Sequence, residues 1–252
     1  MINDKTYTWL YFFVGITYLS GLFIAPLMEN DAIEYATVAM RMFQEGDYGN
    51  IINRFDDYLD KPHLLFWLSG FSFSIFGISD WAYRLPSVIV TFLGAYATFR
   101  LGSLLYSKDI GKLAALVFLT TQATILGNHD VRTDALLTGT VIIGIWQLAE
   151  FIDNNKIKHV VFGAIAIAFG FSTKGQIAVL TAGIAILCHI LYLRKWETFW
   201  NWKWLVGLIA FLMAASPMLY CYYHQFDLQP EKLVHGQHNV SGVKFIFWGQ
   251  SF

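Results

Sequence analysis

Residues 176–193 read QIAVLTAGIAILCHILYL, a run without one Asp, Glu, Lys or Arg. As a helix rising 1.5 Å per residue, such a run crosses most of the roughly 30 Å of hydrocarbon in a bilayer. Six more runs of this kind lie outward from it, near 7–27, 86–106, 110–127, 135–152, 159–173 and 204–223. Only Arg100, Lys112 and Glu150 carry charge inside the runs, although the chain holds 17 basic and 18 acidic residues. A charged side chain at the bilayer centre costs roughly 2.5–3.5 kcal/mol on insertion scales, so a lipid solvent enforces this segregation. The sequence therefore predicts an all-α, polytopic transmembrane protein of about seven spans, one domain over residues 1–252.

Composition points the same way. The 252 residues are 56% hydrophobic and 14% charged, where a soluble domain carries about 25% charged residues. That excludes an ordinary soluble enzyme and a disordered chain. A net charge of −1 argues against a nucleic-acid partner, which would need a cationic surface. Cys188 and Cys221 fall in apolar runs and read as small core residues. The first run lacks a small-residue cleavage pattern and reads as an anchor.

The segment Pro62–Ile78, PHLLFWLSGFSFSIFGI, decides which loops share a side. If it stays out of the bilayer, one face holds Lys5, Lys108, Lys112, Lys156, Lys158, Arg194, Lys195 and Lys203 in short loops. This is the positive-inside pattern of a cytoplasmic face. The other face then holds 28–85, with nine acidic and four basic residues, together with 128–134, 174–175 and everything after His224. Were the segment to span, basic and acidic loops would be mixed. The charges predict an interfacial or re-entrant helix near 62–78 and a second, amphipathic juxtamembrane helix near 31–44, both extracytoplasmic. Residues 224–252 read as an extracytoplasmic loop cut short.

The unusual polar residues now gather on that face. Glu29, Asp31 and Glu34 surround the start of the 31–44 helix, where Asp31 is either a dipole-favoured cap or, functionally, a general base or a cation-holding carboxylate. Asp56, Asp57, Asp60 and Lys61 precede the 62–78 helix, with Pro62 expected at its first helical position. Lys61 is either the partner of a surface ion pair or a phosphate contact. His129, Asp130, Arg132 and Asp134 crowd one short loop, where Asp134 alone could be an N-cap and Arg132 a snorkelling side chain. Lys174-Gly175 between two apolar runs calls for an anionic partner or a watery cavity. His235 and His238, with Asp60, could hold a divalent metal or be loop histidines.

Taken in order, these clusters resemble the GT-C class of membrane glycosyltransferases, in particular the bacterial aminoarabinose transferases that modify lipid A and the protein O-mannosyltransferases. The family's Asp-Glu-x-x-Tyr-Ala motif is matched by Asp31-Ala32-Ile33-Glu34-Tyr35-Ala36, with alanine in place of the glutamate. Its Glu-Lys-Pro-Pro-Leu is matched by Asp60-Lys61-Pro62-His63-Leu64. Arg84-Leu85-Pro86, Arg132-Thr133-Asp134 and Thr173-Lys174-Gly175 match its Arg-Leu-Pro, Arg-x-Asp and Thr-Lys-Gly.

The resemblance implies a GT-C-like fold in the bacterial inner membrane, with a periplasmic active face. The donor would be a polyprenyl-phosphate-linked sugar and the acceptor a lipid, glycan or protein. Asp31, Asp134 and Glu34 are the catalytic candidates. Lys61, Lys174, Arg132 and Arg84 are the donor-phosphate candidates, supported by Glu29, Tyr35 and Asp60. Members of the family are longer, so an N-terminal portion is expected here. Two rival readings remain: half of a transporter, with charges at mid-depth, and a non-catalytic binder of lipid-linked sugar.

Overall fold

The structure, a computed structural model, describes residues 3–234 and 236–249. It opens with α1 (Asp4–Ile24), then α2 (Asn30–Glu45), a two-stranded antiparallel ribbon of β1 (Ile52–Asn53) and β2 (Asp56–Asp57), and α3 (Leu64–Phe76). The remainder is helical: α4 (Asp80–Leu105), α5 (Lys108–Thr120), α6 (Gln122–His129), α7 (Thr133–Asn154), α8 (Ile157–Lys174), α9 (Gln176–Leu193) and α10 (Lys203–Tyr222). A π-helical turn at Tyr223–Asp227 prolongs α10, and α11 (Gly242–Lys244) lies near the end. Among the described residues, α1, α4, α7, α8, α9 and α10 are long and apolar enough to cross a membrane. The chain is an integral membrane protein, all-α apart from its short ribbon.

Three boundaries differ from expectation. The 110–127 run is not one straight span, because α5 and α6 meet at 50°. Thr121 is the joint: its backbone is extended, and its hydroxyl pairs with that of Thr124 at 2.7 Å. The α4 helix begins at Asp80 rather than at 86, since the Ser79 hydroxyl accepts the Ala82 N–H at 3.4 Å as an N-cap. Arg84, Leu85 and Pro86 are thus inside a helix. Pro62 is not the first residue of α3, which starts at Leu64 behind His63. With 13 residues, α3 is about 20 Å long, well short of a hydrocarbon crossing.

Helix α7 is central, packing against α4, α8 and α9. Its approach to α4 depends on Gly94, whose added Cβ would sit 2.9 Å from the Gly139 Cα. Small residues allow membrane helices this proximity. The charges inside the spans satisfy one another: Arg100 meets Glu150 at 3.0 Å, and Lys112 meets Asp4 at 2.5 Å. Large apolar side chains such as Trp9, Phe13, Phe23 and Met213 face outward, as a lipid solvent requires.

Residues 224–234 and 236–249 fold back onto the helices. Val234 and Ile246 are buried against Leu59, Phe171, Met218 and Tyr222. Fully buried Gln225 exchanges hydrogen bonds with the Ile51 backbone at 2.8 and 3.0 Å and reaches the Asp57 carboxylate at 2.8 Å. Lys232 pairs with the same carboxylate at 2.9 Å. The loop carrying Tyr58, Asp60 and Lys61 is thereby fixed to the end of α10.

Candidate functional site

Three sequence-distant clusters converge through helix topology. The two-residue connection between α7 and α8 makes these helices antiparallel, so the first turn of one meets the last turn of the other. Asp134 and Lys174 occupy those turns, and Lys174 Nζ donates to Asp134 Oδ1 at 2.6 Å. An acid near a helix N-terminus and a base near a C-terminus are both favoured by the helix dipoles. Gly175 follows with φ of 66°, a conformation that only glycine adopts without strain, and turns the chain into α9.

Arg132 stands beside this pair, 4.0 Å from Asp134 Oδ2 and 4.0 Å from Asp31 Oδ2. The result is a continuous charge chain Asp31–Arg132–Asp134–Lys174. Its side chains are all solvent-accessible, from 37% for Lys174 to 56% for Asp31. Simple capping does not describe the two acids, since Glu29 and Arg132 are the N-caps of α2 and α7 and each acid sits in its first helical turn. Glu29 is held in place by its backbone: Asp130 Oδ1 accepts the N–H groups of Met28 at 2.7 Å and Glu29 at 3.2 Å. This tether joins the exit of α1 to the Arg132 loop. The clustering of Asp130 with the other charges was its only signal in the sequence.

A second group adjoins the first through Tyr35. One turn after Asp31, Tyr35 is 4% exposed and packs edge-on to Phe66 of α3, with centroids 5.9 Å apart. Tyr58 packs on the same ring at 6.5 Å. Burial pushes the Tyr35 hydroxyl up to about 12, and the Asp31 carboxylate adds to the shift. Burial likewise raises Tyr58, with Tyr35, Glu34 and Asp60 contributing. Both phenols are held protonated, as hydrogen-bonding groups between Asp31, Glu34 and Asp60. Tyr58 is the neighbour of this group that the sequence alone did not place among the candidate site residues.

Lys61 follows Asp60, half-buried, and has no ion pair among the described residues. Behind it, His63 is fully buried and shares a 3.1 Å hydrogen bond through Nε2 with the Gly49 carbonyl. Burial lowers its pKa to about 4, so the ring is neutral.

Arg84 takes a different place from the one expected of a phosphate contact. It is fully buried in α4, donating from Nε to the His129 carbonyl at 2.6 Å and from Nη1 to the Leu22 carbonyl at 3.3 Å. It ties the ends of α1 and α6 to α4. For the metal candidates, His235 lies outside the described residues, and His238 Nδ1 is 2.9 Å from the Glu231 carbonyl. No group of three or more His, Cys, Asp or Glu placed to hold a metal ion is found among the described residues.

The sequence profile of the dolichyl-phosphate-mannose-protein mannosyltransferases matches residues 60–221, more than half of the chain. The chain belongs to this family. Curated relatives of this family member include the undecaprenyl phosphate-alpha-4-amino-4-deoxy-L-arabinose arabinosyl transferases of Photorhabdus laumondii and Yersinia pestis. The first is 27% identical over 73% of this chain and 34% of its own length. The second is 28% identical over 77% of this chain and 36% of its own. Among solved structures, ArnT from Cupriavidus metallidurans bound to undecaprenyl phosphate superposes with a TM-score of 0.83 at 17% identity, over 99% of this chain and 44% of that one. The chain spans about a third of the length of the curated relatives it matches.

Proposed function

We propose that this chain carries the donor-binding and catalytic end of a glycosyltransferase that moves a sugar from a polyprenyl phosphate to an acceptor hydroxyl. The observation that carries the reading is the solvent-accessible chain Asp31–Arg132–Asp134–Lys174. The donors named in the family's name and in that of the arabinosyl transferases differ in sugar and share a polyprenyl phosphate. That shared part is what a lysine- and arginine-lined site recognises.

The chemistry follows from the charges. The acceptor oxygen attacks the anomeric carbon, and the bond from that carbon to the phosphate oxygen breaks. Its electron pair leaves with the polyprenyl phosphate, which gains negative charge. Lys174, Lys61 and Arg132 stabilise that charge as preorganised cations. Asp31 takes the acceptor proton as general base. Asp134 orients Lys174 and Arg132, while Glu34, Glu29, Tyr35 and Asp60 shape the surface around Asp31. The acceptor class is a lipid, glycan or protein hydroxyl. The excess of acidic residues over 28–85 and the basic loops at the opposite ends of the spans support an extracytoplasmic, periplasmic site in a bacterial inner membrane.

The test is transfer in reconstituted vesicles. Radiolabelled polyprenyl-phosphate sugar is supplied with lipid, glycan and peptide acceptors, and released polyprenyl phosphate is measured. Acceptor-dependent release supports the proposal; tight donor binding without release under all three acceptors overturns it in favour of a binding protein.

A further inference from the structure

The connection between α9 and α10 lies at the opposite end of the bundle from the charge chain. Asp134 opens α7, whereas this connection meets the other end of the same 22-residue helix, about 33 Å away. A cavity of about 850 Å³ opens there, between the end of α7, the 3₁₀ turn Trp196–Trp200 and the start of α10. Arg194, Lys195 and Lys203 line it together with Trp196, Trp200 and Trp202, and Glu197 is the carboxylate in its lining.

The three cations are held differently. Lys203 Nζ donates to the Asn155 carbonyl at 2.6 Å and Lys195 Nζ to the Ile152 carbonyl at 3.0 Å, so both close the free carbonyl end of α7. Lys195 also lies 3.7 Å from Asp153. Arg194 has no side-chain hydrogen bond or ion pair among the described residues, and it is exposed on the cavity. Its backbone is left-handed, φ 54°, at the end of α9. Glycine or asparagine normally fills that position, as Asn155 does after α7. Backbone geometry therefore does not account for an arginine here.

The tryptophans add a second chemistry. Trp200 is 92% exposed, Trp202 66% and Trp196 57%. Such amphipathic rings sit at the headgroup level of membranes. Next to the cavity, across the Leu193–Arg194 corner, a largely apolar cleft of about 680 Å³ runs between α4, α7 and α9, lined by Leu101, Leu104, Leu105 and Ile186, with Asp153 and His189 also in its lining. Cations, indoles and an adjoining apolar slot match a phosphate group that carries acyl chains better than a free anion.

We propose that this cavity binds an anionic phospholipid, its phosphate on the unpaired Arg194 guanidinium backed by Lys195 and Lys203, and an acyl chain in the α4–α7–α9 cleft. Native mass spectrometry of the purified protein, titrated with phosphatidylglycerol and phosphatidylcholine, tests it. Phosphatidylglycerol is retained in preference. Arg194→Ala weakens its binding about fivefold, equivalent to the ~1 kcal/mol of one basic residue at an anionic membrane surface. Lys158→Ala, at the same end but outside the cavity lining, leaves the preference intact. Equal retention of the two lipids, an unaltered preference in Arg194→Ala, or displacement of the lipid by inorganic phosphate overturns the proposal. Trp200→Phe gives an independent reading at a position too exposed to affect folding. Brominated phosphatidylglycerol quenches the native tryptophan emission more than the variant's, and equal quenching also overturns the site.

Discussion

Replacing Lys174 with alanine should separate the catalytic role of the charge chain from any structural one. The Lys174 side chain is 37% exposed and that of its partner Asp134 50%, so solvent screening limits their pair to ~0–1 kcal/mol of stability. A loss of that size moves the melting midpoint of a chain this long by roughly 2–4 °C. Its effect on turnover is much larger, because the charge that leaves with the donor phosphate loses a preorganised cation. Removing one such donor costs roughly 10²–10³ in kcat, about 2.7–4 kcal/mol. Asp134 then keeps only Arg132, at 4.0 Å. The assay is release of polyprenyl phosphate from labelled donor in vesicles, beside a thermal melt in detergent. Native turnover in Lys174→Ala would refute the assignment. So would a melt lowered far beyond the few degrees expected, since the lysine would then be holding the helices together.

Three further predictions concern the framework. Arg84→Met removes the donor from the buried carbonyls of His129 and Leu22; at ~1–3 kcal/mol for each unsatisfied acceptor, the melting midpoint falls sharply, whereas Lys61→Met at a half-buried site leaves it nearly unchanged. His63, with its pKa lowered by burial from 6.5 to about 4, makes a stability contribution that is complete above pH 6.5. That contribution is lost as pH falls towards 4, up to about 3 kcal/mol, so melts between pH 7 and 5 should flatten in His63→Phe. Gly94→Leu forces α4 from α7, since even an added Cβ would sit 2.9 Å from the Gly139 Cα, and overpacking of that kind costs ~1–3 kcal/mol or more, read as a lowered melting midpoint.

The membrane architecture was legible because a lipid solvent leaves a strong mark: charge is confined to the ends of apolar runs. Six of the seven runs correspond to helices long enough to span. The bend at Thr121 was not legible, since no proline or glycine marks it. The early start of α4 had a signal in Ser79-Asp80, a cap followed by an acid, which a proline at position 86 obscured. Asp31, Arg132 with Asp134, and Lys174 came from three separate clusters, and the meeting of Asp134 with Lys174 needed only antiparallel spans of matched length. The burial of Arg84 could not be read locally, because its partners lie 45 and 62 residues away in sequence. The Gln225 clamp on Ile51 spans 174 residues and was equally hidden. Local pattern thus identified the ionisable groups, and only tertiary packing distinguished those that face solvent from those that bind backbone.

The central claim is that Asp31 acts on the acceptor while the cations hold the donor. Asp31→Asn, assayed for donor binding and turnover on the same preparation, tests it most directly. Turnover should fall by roughly 10²–10⁴, the contribution of a positioned general base, with the dissociation constant for polyprenyl phosphate unchanged. Native turnover in that variant, or a loss of donor binding equal to the loss of turnover, would contradict it.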